Sequence, residues 1–451
     1  MPLFYALFFD ILYVMDIIEI ITKKKKGKSL SQEEIEFFVK GFCGGNIADY
    51  QASALLMAIC IKGMDEEETY LLTKAMTESG KRADLTGIEG IKVDKHSTGG
   101  VGDALTLTLA PSLACCGVKV AKLSGRGLSF TGGTVDKLLS IPRLRTDFSQ
   151  EEFIEIVKHA GLCVSGQSAD LAPADKKLYA LRDVTATVDC IPLIASSIMS
   201  KKLASGADVL LLDVKYGKGA FMKSKGGALK LAQSMTDIGK RAGLKTAALI
   251  TSMMQPLCQK IGNSLEIMGA LEVLNGARNR LYEQTCICGG YILDMALNCG
   301  AAKGKERIEK ALLSKEAYKK FLIMVKAQGG DTSYIENPSK LPLGQKQEIY
   351  ASKNGYVSSM DTQQIGLTLV NLGGGRKTKE DIIDSGVGVE LYIKLGDKVR
   401  QGQKIAAIYH NGKNVEQCLC GLTKSLTISS KKPLPQKDIY AFVDEKGVTY
   451  L

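Results

Sequence analysis

The stretch that decides the fold runs from residue 95 to residue 140 and reads KHSTGGVGDALTLTLAPSLACCGVKVAKLSGRGLSFTGGTVDKLLS. It contains two glycine-rich turns, residues 95–103 and 124–136, each dense in hydroxyl groups and each ending in a carboxylate. Glycines let main-chain N–H groups approach an anion closely, and Ser, Thr and Lys side chains supply further donors. Two such turns close together favour an anion-handling active site over two ordinary tight turns.

The surroundings of the first turn suit a phosphate group. A β-like run (90–94) precedes it and an apolar, helix-length stretch (104–117) follows it. A strand, a glycine loop and a helix N-terminus together form a common phosphate site. Neither turn is a P-loop, and neither matches the dinucleotide fingerprint in a βαβ setting.

Length and periodicity predict a multidomain chain. At 451 residues, two or three domains are expected. Residues 31–80 read as three helices, with capping boxes at Ser31 and Asp65 and with Asp49 as the cap between them. Apolar strands at 209–214 and 245–250 flank a helical run, which predicts a largely parallel, covered sheet.

The C-terminal region from residue 349 switches to short β-runs, which predicts an all-β module. Its turn at 396–402 resembles turns of biotinyl and lipoyl domains, but no lysine occupies the attachment motif. A structural module is therefore predicted, and an acyl-carrier role is not.

Composition narrows the class of protein. The net charge of +11 comes from 59 basic and 48 acidic residues, without a stripe of arginines and aromatics, so a lysine-rich surface is favoured over nucleic-acid binding. A positive field can still assist the capture of an anionic small substrate. The twelve cysteines lack zinc spacing, which indicates reduced thiols in a cytoplasmic protein.

The apolar N-terminal segment, residues 1–15, contains Asp10 and is too short to span a bilayer. It also lacks a basic n-region and a small-residue cleavage site. We expect a start-site extension rather than a membrane anchor, and a cytoplasmic location.

A second polar cluster follows in LRDVTATVDCIPLIASSIMSKKL, residues 181–203. Ser197 and Lys201 are four residues apart, so on a helix they share one face. Together with Arg182 they offer a hydroxyl, an ammonium and a guanidinium, which suit the carbonyl oxygens and ring nitrogens of a heterocycle. The alternative is an exposed helix face with ordinary charges.

Several ordered motifs identify a family. The run SGRGLSFTGGTVDKL strongly resembles the hallmark of the thymidine/pyrimidine-nucleoside phosphorylases, and the bacterial pyrimidine-nucleoside enzymes are the nearest match. The similarity extends to LRDVTATVDCIPLIASSIMSKKLA, DVKYGKGAFM and QPLCQKIGNSLE, and it covers nearly the whole chain after Met15.

The resemblance implies an α+β multidomain fold. A small all-α domain takes residues 1–80 and 174–204, and a large α/β domain with a mixed, largely parallel sheet takes residues 81–173 and 205–335. Residues 345–451 form a β-rich, barrel-sandwich-like C-terminal module. Members of this family form homodimers.

The implied reaction is reversible phosphorolysis, in which phosphate attacks C1′ of a pyrimidine nucleoside and releases the base and an α-(deoxy)ribose 1-phosphate. His96, Arg182 and Lys201 correspond to the catalytic residues. The phosphate-binding positions are Lys95, Ser97, Thr106, Ser124 and Thr134. The base- and nucleoside-binding positions are His96, Lys122, Leu128, Arg182, Ile194, Ser197, Lys201 and Phe221.

Three positions depart from the family pattern. Phe130 replaces a usual His, and Leu139 replaces a usual Glu. Gly102 and Leu257 match the family's potassium site, but Gly269 replaces its glutamate, and the Lys260 ammonium lies near another expected ligand. The departure at Gly269 argues against the potassium site without excluding it. The resemblance implies inorganic phosphate as co-substrate and no required cofactor.

Lys122 matches the residue of the broad-specificity enzymes, whereas strict thymidine phosphorylases have a Met at this position. Uridine, thymidine and deoxyuridine are the expected substrates in nucleoside salvage. The alternatives are a thymidine-restricted phosphorylase and a catalytically silent homologue that only binds ligand. Anthranilate phosphoribosyltransferase shares a related fold, but the Lys95-His96-Ser97 pattern argues against that activity.

Overall fold

The computed structural model describes residues 15–125, 127, 132–168, 170–378 and 380–451. Its helices are α1 Ile17–Lys25, α2 Gln32–Gly44, α3 Asp49–Lys62, α4 Glu66–Glu78, α5 Leu105–Cys115, α6 Thr134–Leu138, α7 Gln150–Ala160, α8 Pro173–Asp183, α9 Ile191–Ala204, α10 Lys225–Arg241, α11 Asn263–Leu274, α12 Arg280–Leu297, α13 Ala301–Leu313, α14 Glu316–Ala327, α15 Ser333–Glu336, α16 Thr362–Leu372 and α17 Val415–Ser425. The strands are β1 Lys92–Ser97, β2 Lys119–Ser124, β3 Leu162–Gly166, β4 Val209–Tyr216, β5 Lys245–Ser252, β6 Lys260–Ile261, β7 Gln345–Tyr350, β8 Gly355–Met360, β9 Gly388–Leu391, β10 Lys398–Val399, β11 Lys404–His410, β12 Leu426–Ser429, β13 Ile439–Asp444 and β14 Gly447–Tyr450. Among the described residues, none of these helices combines the length and the apolar character that crossing a membrane requires.

The chain divides into two compact units. The described part of the first covers residues 15–81 and 172–201, and it is helical. Apolar side chains of α1–α4, α8 and α9 form its core, with Phe38, Phe42 and Leu55 almost wholly buried. The capping boxes predicted at Ser31 and Asp65 are present.

The second unit covers residues 82–171 and 202–451 and is built on a seven-stranded sheet. The strand order is β14-β13-β5-β4-β1-β2-β3. Strands β1 to β5 are parallel to one another. Strand β13 is antiparallel to both of its neighbours, β5 and β14. All eight residues of β4 are buried, as expected for a central strand of a covered parallel sheet. The predicted fold class, with a small all-α part, a mixed and largely parallel sheet and a β-rich C-terminal region, is confirmed.

The C-terminal region contains a three-stranded sheet, β10-β8-β12, and three strands of a four-stranded sheet, β6-β9-β11-β7, whose edge strand β6 comes from the segment just before α11. The expectation of an all-β module is wrong, because the amphipathic helices α16 and α17 pack within it. Its final strands also leave the module: β13 pairs with β5 and extends the large sheet.

Two local expectations need correction. Strand β1 runs on to Ser97, so Lys95, His96 and Ser97 lie in the strand rather than in the turn; their register with β4 on one side holds them there. Helix α3 begins at Asp49 with Ala48 as its N-cap, and Gln51 Oε1 accepts the main-chain N–H of Ala48. Asp49 therefore does not cap this helix.

Candidate active site

Strand β1 carries the first candidate cluster. It lies between β2 and β4, and because all three strands are parallel, their carboxyl ends meet at one edge of the sheet. Ser97 ends β1 and Ser124 ends β2, and both side chains are half-buried. The two turns of the deciding stretch therefore begin side by side.

The Lys95 ammonium is buried beneath this edge among carboxylates. Its Nζ lies 3.1 Å from Asp213 Oδ2 and 3.7 Å from Asp103 Oδ2. Lys215 Nζ lies 2.8 Å from the same Asp213 oxygen and 3.7 Å from Asp103 Oδ2. Two ammonium groups and two carboxylates thus form one closed cluster, in which the charges balance until an anion binds.

The charge states of this cluster follow from competition between burial and pairing. Burial by itself lowers the pKa of the Lys95 ammonium, but Asp103 and Asp213 together raise it above its ordinary value. Burial favours the neutral form of Asp103, yet Lys215 and Lys95 hold the pKa of that carboxyl well below its usual range. Both groups are therefore ionised near neutral pH.

The glycine-rich loop rests directly on Lys215. The main-chain N–H of Lys215 donates to Thr98 Oγ1 at 2.9 Å. A Cβ placed on Gly100 would lie 2.5 Å from Met253 Cε and 2.7 Å from Lys215 Cδ. Only glycine lets this loop pack so closely against the charged cluster.

The remaining phosphate candidates lie on the two following helices. Thr106 is buried in the first turn of α5, and Thr134 begins α6 and is half-buried. The carboxylate that ends the second turn, Asp136, accepts the main-chain N–H of Gly127 at 2.8 Å and the guanidinium of Arg376 at 2.9 Å. That carboxylate therefore links Gly127 to Arg376.

Lys122 takes part in a second buried charge cluster. Its Nζ lies 3.0 Å from Asp94 Oδ1 and donates to the main-chain oxygen of Lys95. Lys202 Nζ lies 2.7 Å from the other Asp94 oxygen and also donates to the carbonyl of Leu123. Asp94 thus holds two lysines, one from β2 and one from α9.

Burial affects the pKa values of Asp94 and Lys122 to different extents. Burial alone would raise the pKa of Asp94, but Lys122 and Lys202 outweigh it and lower this pKa to about 2. For Lys122, burial outweighs the attraction of Asp94, and the nearby Lys202 charge also opposes protonation, so its pKa falls to about 8. Lys122 therefore titrates close to the physiological range.

The heterocycle candidates Arg182, Ile194, Ser197 and Lys201 lie on α8 and α9 in the first unit. Lys201 Nζ donates to Ser197 Oγ at 3.1 Å and to Asp175 Oδ2, so the predicted shared face is confirmed. Arg182 is buried and donates to the main-chain oxygens of Thr187, Val188 and Leu193.

Not every predicted nucleoside residue lies in that unit. His96, Lys122 and Phe221 belong to the second unit with the phosphate candidates. His96 is half-buried on β1, and Phe221 is 38% exposed in the segment after β4. Leu128 and Phe130 lie outside the described residues, whereas Leu139 is exposed at the end of α6.

Sequence reasoning missed three carboxylates: Asp213 in the first charge cluster, Asp94 in the second, and Asp175 beside Lys201. One signal was available, because Asp213 is charged inside the otherwise apolar run VLLLDV, and Lys215 follows on the same strand face. For Asp94 and Asp175 no local signal distinguishes them from solvated acidic residues.

The residues present do not fit the family's potassium site. Gly102 keeps its carbonyl, which accepts the main-chain N–H of Cys258 at 3.0 Å. At Gly269 there is no oxygen ligand, and a Cβ there would lie 2.5 Å from Cys258 Sγ, so the thiol fills the space of a carboxylate side chain. Lys260, which passes over Gly269, pairs its ammonium with Glu272 and Glu390.

Comparisons with known proteins identify the class of protein. Residues 18–80 match the helical bundle domain and residues 89–314 the a/b domain of a glycosyl transferase family. A solved anthranilate phosphoribosyltransferase from Thermus thermophilus has the same fold, with a TM-score of 0.57 and 18% identity, covering 70% of this chain and 99% of that chain. Fold and site together define an enzyme of the glycosyltransferase class that transfers pentosyl groups.

Further matches narrow the class. Residues 356–429 match the pyrimidine nucleoside phosphorylase C-terminal domain. The pyrimidine-nucleoside phosphorylase of Geobacillus stearothermophilus is 48% identical over 92% of this chain and 97% of its own length. That of Bacillus subtilis strain 168 is 46% identical over 96% of this chain and its full length. The chain belongs to the pyrimidine-nucleoside phosphorylase family, as the sequence motifs predicted.

Proposed function

We propose that the chain catalyses the reversible phosphorolysis of uridine, thymidine and deoxyuridine to the free base and α-D-ribose or deoxyribose 1-phosphate. The observation that carries the proposal is the identity of 46–48% to named pyrimidine-nucleoside phosphorylases over more than nine-tenths of the chain. All the proposed catalytic and phosphate-binding positions keep a residue able to do the required chemistry, with Thr106 as one of the hydroxyls.

The phosphate half of the reaction is assigned to the cluster at the end of β1. Phosphate carries roughly −1.5 to −2 charges near neutral pH, by analogy with a phosphomonoester. Lys95, with hydroxyl groups from Ser97, Thr106, Ser124 and Thr134, neutralises and orients it. Because Asp103 and Asp213 keep Lys95 ionised and fixed in place, little reorganisation is needed when the anion binds.

The base half is assigned to Arg182, Ser197 and Lys201. As the glycosidic bond breaks, the sugar becomes oxocarbenium-like and the pyrimidine gains negative charge on its O2, N3 and O4 atoms. Arg182 and Lys201 stabilise that charge, and His96 donates a proton or a hydrogen bond to the departing base. Ile194, Leu128 and Phe221 are assigned to the apolar wall, and Lys122 is assigned to the nucleoside.

Inorganic phosphate is the co-substrate, and we propose that no cofactor or potassium ion is required. Support comes from Gly269, whose surroundings offer a thiol and an ammonium in place of a carboxylate. The Lys260 side chain passes beside Gly269, and its ammonium is paired with Glu272 and Glu390. No step of the proposed reaction depends on a bound cation.

We further propose a cytoplasmic homodimer with the three-part organisation expected from the sequence: residues 1–80 with 174–204, residues 81–173 with 205–335, and residues 345–451. The free thiols of all twelve cysteines support a reducing compartment. On α1 and α3, which pack together, Ile18, Tyr50 and Ile61 are at least 60% exposed, which suits burial against a second copy. Analytical ultracentrifugation measures the oligomeric state.

The test of the activity is base release from uridine, thymidine and deoxyuridine, each with and without phosphate, followed by ultraviolet absorbance. Phosphate-dependent release from all three is the expected result. Release from thymidine and deoxyuridine but not uridine indicates a deoxynucleoside-restricted enzyme, and release from thymidine alone indicates a thymidine-restricted one. No release from any of them indicates a silent homologue.

A further inference from the structure

The side chain of Asp175 stands out among the buried polar groups of the first unit. It projects from α8, is 3% exposed, and bonds Lys201 Nζ through Oδ2. Its other oxygen, Oδ1, is buried without a hydrogen-bond partner among the described residues. A buried carboxylate oxygen without a partner is destabilising, because no hydrogen bond compensates its loss of hydration. Such a group is a poor choice for stability alone.

Asp175 also lies beside the second cation of the proposed pyrimidine site. It precedes Arg182 by two helical turns, which places both on one face of α8. The two side chains line a cavity of about 10 Å³ with Ser196 and apolar residues of α2, α3, α4, α8 and α9. Burial lowers the pKa of the Arg182 guanidinium, and the Asp175 charge is the main influence that opposes this. The Asp175 carboxylate therefore stabilises the positive charges of both Lys201 and Arg182.

Lys201 and Arg182 both retain N–H donors for a ligand. Lys201 has three N–H groups, of which one bonds Asp175 and one Ser197, so one is left over. Arg182 has five, of which three bond main-chain oxygens in this structure. Both cations are therefore held firmly by the protein and keep donors for the oxygens of a pyrimidine, with one net positive charge among the three groups.

We propose that Asp175 is a positioning residue for pyrimidine binding and base departure, acting through Lys201. The inference rests on the proposed phosphorolysis. When the base leaves with negative charge, the Lys201 N–H that is already aimed by Asp175 and Ser197 meets it without reorientation. Without the carboxylate, Lys201 is free to adopt other rotamers and part of this stabilisation is lost.

The first experiment compares D175N with the wild-type enzyme. We expect kcat/KM for uridine to fall about 30- to 300-fold with most of the loss in kcat, while KM for phosphate changes less than twofold. S196A is the matched control, because Ser196 lines the same cavity but donates to Thr69 rather than to Lys201. It should stay within threefold of wild type.

A double-mutant cycle distinguishes positioning from a purely structural role. If Asp175 acts through Lys201, D175N should change the rate less than threefold in a K201M background, because the interaction is already absent. An unchanged D175N enzyme, an equal loss in both backgrounds, or a matching rise in KM for phosphate each overturns the inference.

Folding and the parent activity are checked separately. If D175N alone does not fold, the D175N/K201M pair, which removes both charges, is compared with K201M for uridine binding by calorimetry; equal affinity supports the inference and a further loss overturns it. Absence of phosphate-dependent base release by the wild-type enzyme overturns the proposed function itself, a result that the variants cannot produce.

Discussion

The Lys122 ammonium donates a hydrogen bond to the main-chain oxygen of Lys95, so the residue assigned to the nucleoside braces the strand residue assigned to phosphate. Replacing it by methionine removes the charge and keeps the length. In K122M we expect kcat/KM for uridine to fall at least tenfold relative to thymidine, equivalent to about 1.4 kcal/mol. K119M, on the same strand, is the control. Equal losses for both nucleosides would show that Lys122 does not set the preference between them.

The depressed pKa of Lys122, about 8, predicts a pH-dependent substrate preference. The ratio of kcat/KM for uridine to that for thymidine should be constant below pH 7 and fall as the pH rises through 8, because Lys122 loses its proton. Groups common to both reactions cancel in the ratio. In K122M the ratio should not vary with pH, and a wild-type ratio that is flat from pH 6 to 9.5 contradicts the assignment.

The lowered pKa of Lys122 also predicts whether the free energy of unfolding rises or falls with pH. Lys122 has a folded-state pKa below its ordinary value of 10.5, so between pH 8 and 10.5 the unfolded chain binds more protons than the folded one. This group therefore makes the free energy of unfolding rise with pH over that window. Urea titrations of wild type and K122M across this window measure the free energy of unfolding, which should rise more steeply with pH in the wild type. The same pH dependence in both proteins would show that Lys122 is not the source.

The contact between Gly100 and Lys215 predicts a cost for any side chain in the glycine-rich loop. In G100A the new methyl group overlaps Met253 and Lys215, so the loop must shift away from the charged cluster. We expect a loss of about 1–3 kcal/mol in the free energy of unfolding and a rise of roughly tenfold in KM for phosphate. G226A, where no atom lies within 4 Å of the added methyl, should change neither.

The surroundings of Gly269 predict that activity is independent of the monovalent cation. Initial rates with uridine should differ less than twofold when potassium is replaced by sodium or tetramethylammonium at constant ionic strength. The physical reason is that Cys258 Sγ fills the space of the missing carboxylate and Lys260 brings its own charge. A stimulation of fivefold or more by potassium would contradict this.

Local patterns were enough to predict the fold class, the family and much of the helix capping. The capping boxes at Ser31 and Asp65 and the common face of Ser197 and Lys201 depend on residues three or four positions apart. For such short-range relationships, spacing along the chain determines proximity in space.

The organising carboxylates could not be predicted in the same way. Asp94 meets Lys202 across 108 residues, and Asp213 meets Lys95 only because β4 pairs with β1. The pairing of β13 with β5 likewise joins distant segments of the chain, so periodicity alone places the C-terminal strands in the wrong sheet. These contacts are set by sheet order, which single-sequence periodicity does not encode.

The role of His96 gives the most direct test of the proposed chemistry. His96 is half-buried on β1, between Lys95 and Ser97, and is proposed as the donor of a proton or a hydrogen bond to the departing base. H96A should retain binding of phosphate and of uridine but lose about 10²- to 10⁴-fold in kcat, the usual contribution of a general acid. H159A, on the exposed face of α7, is the control and should match wild type. A turnover number within threefold of wild type, with both substrates still bound, would remove His96 from the mechanism and leave Arg182 and Lys201 to stabilise the leaving base by charge alone.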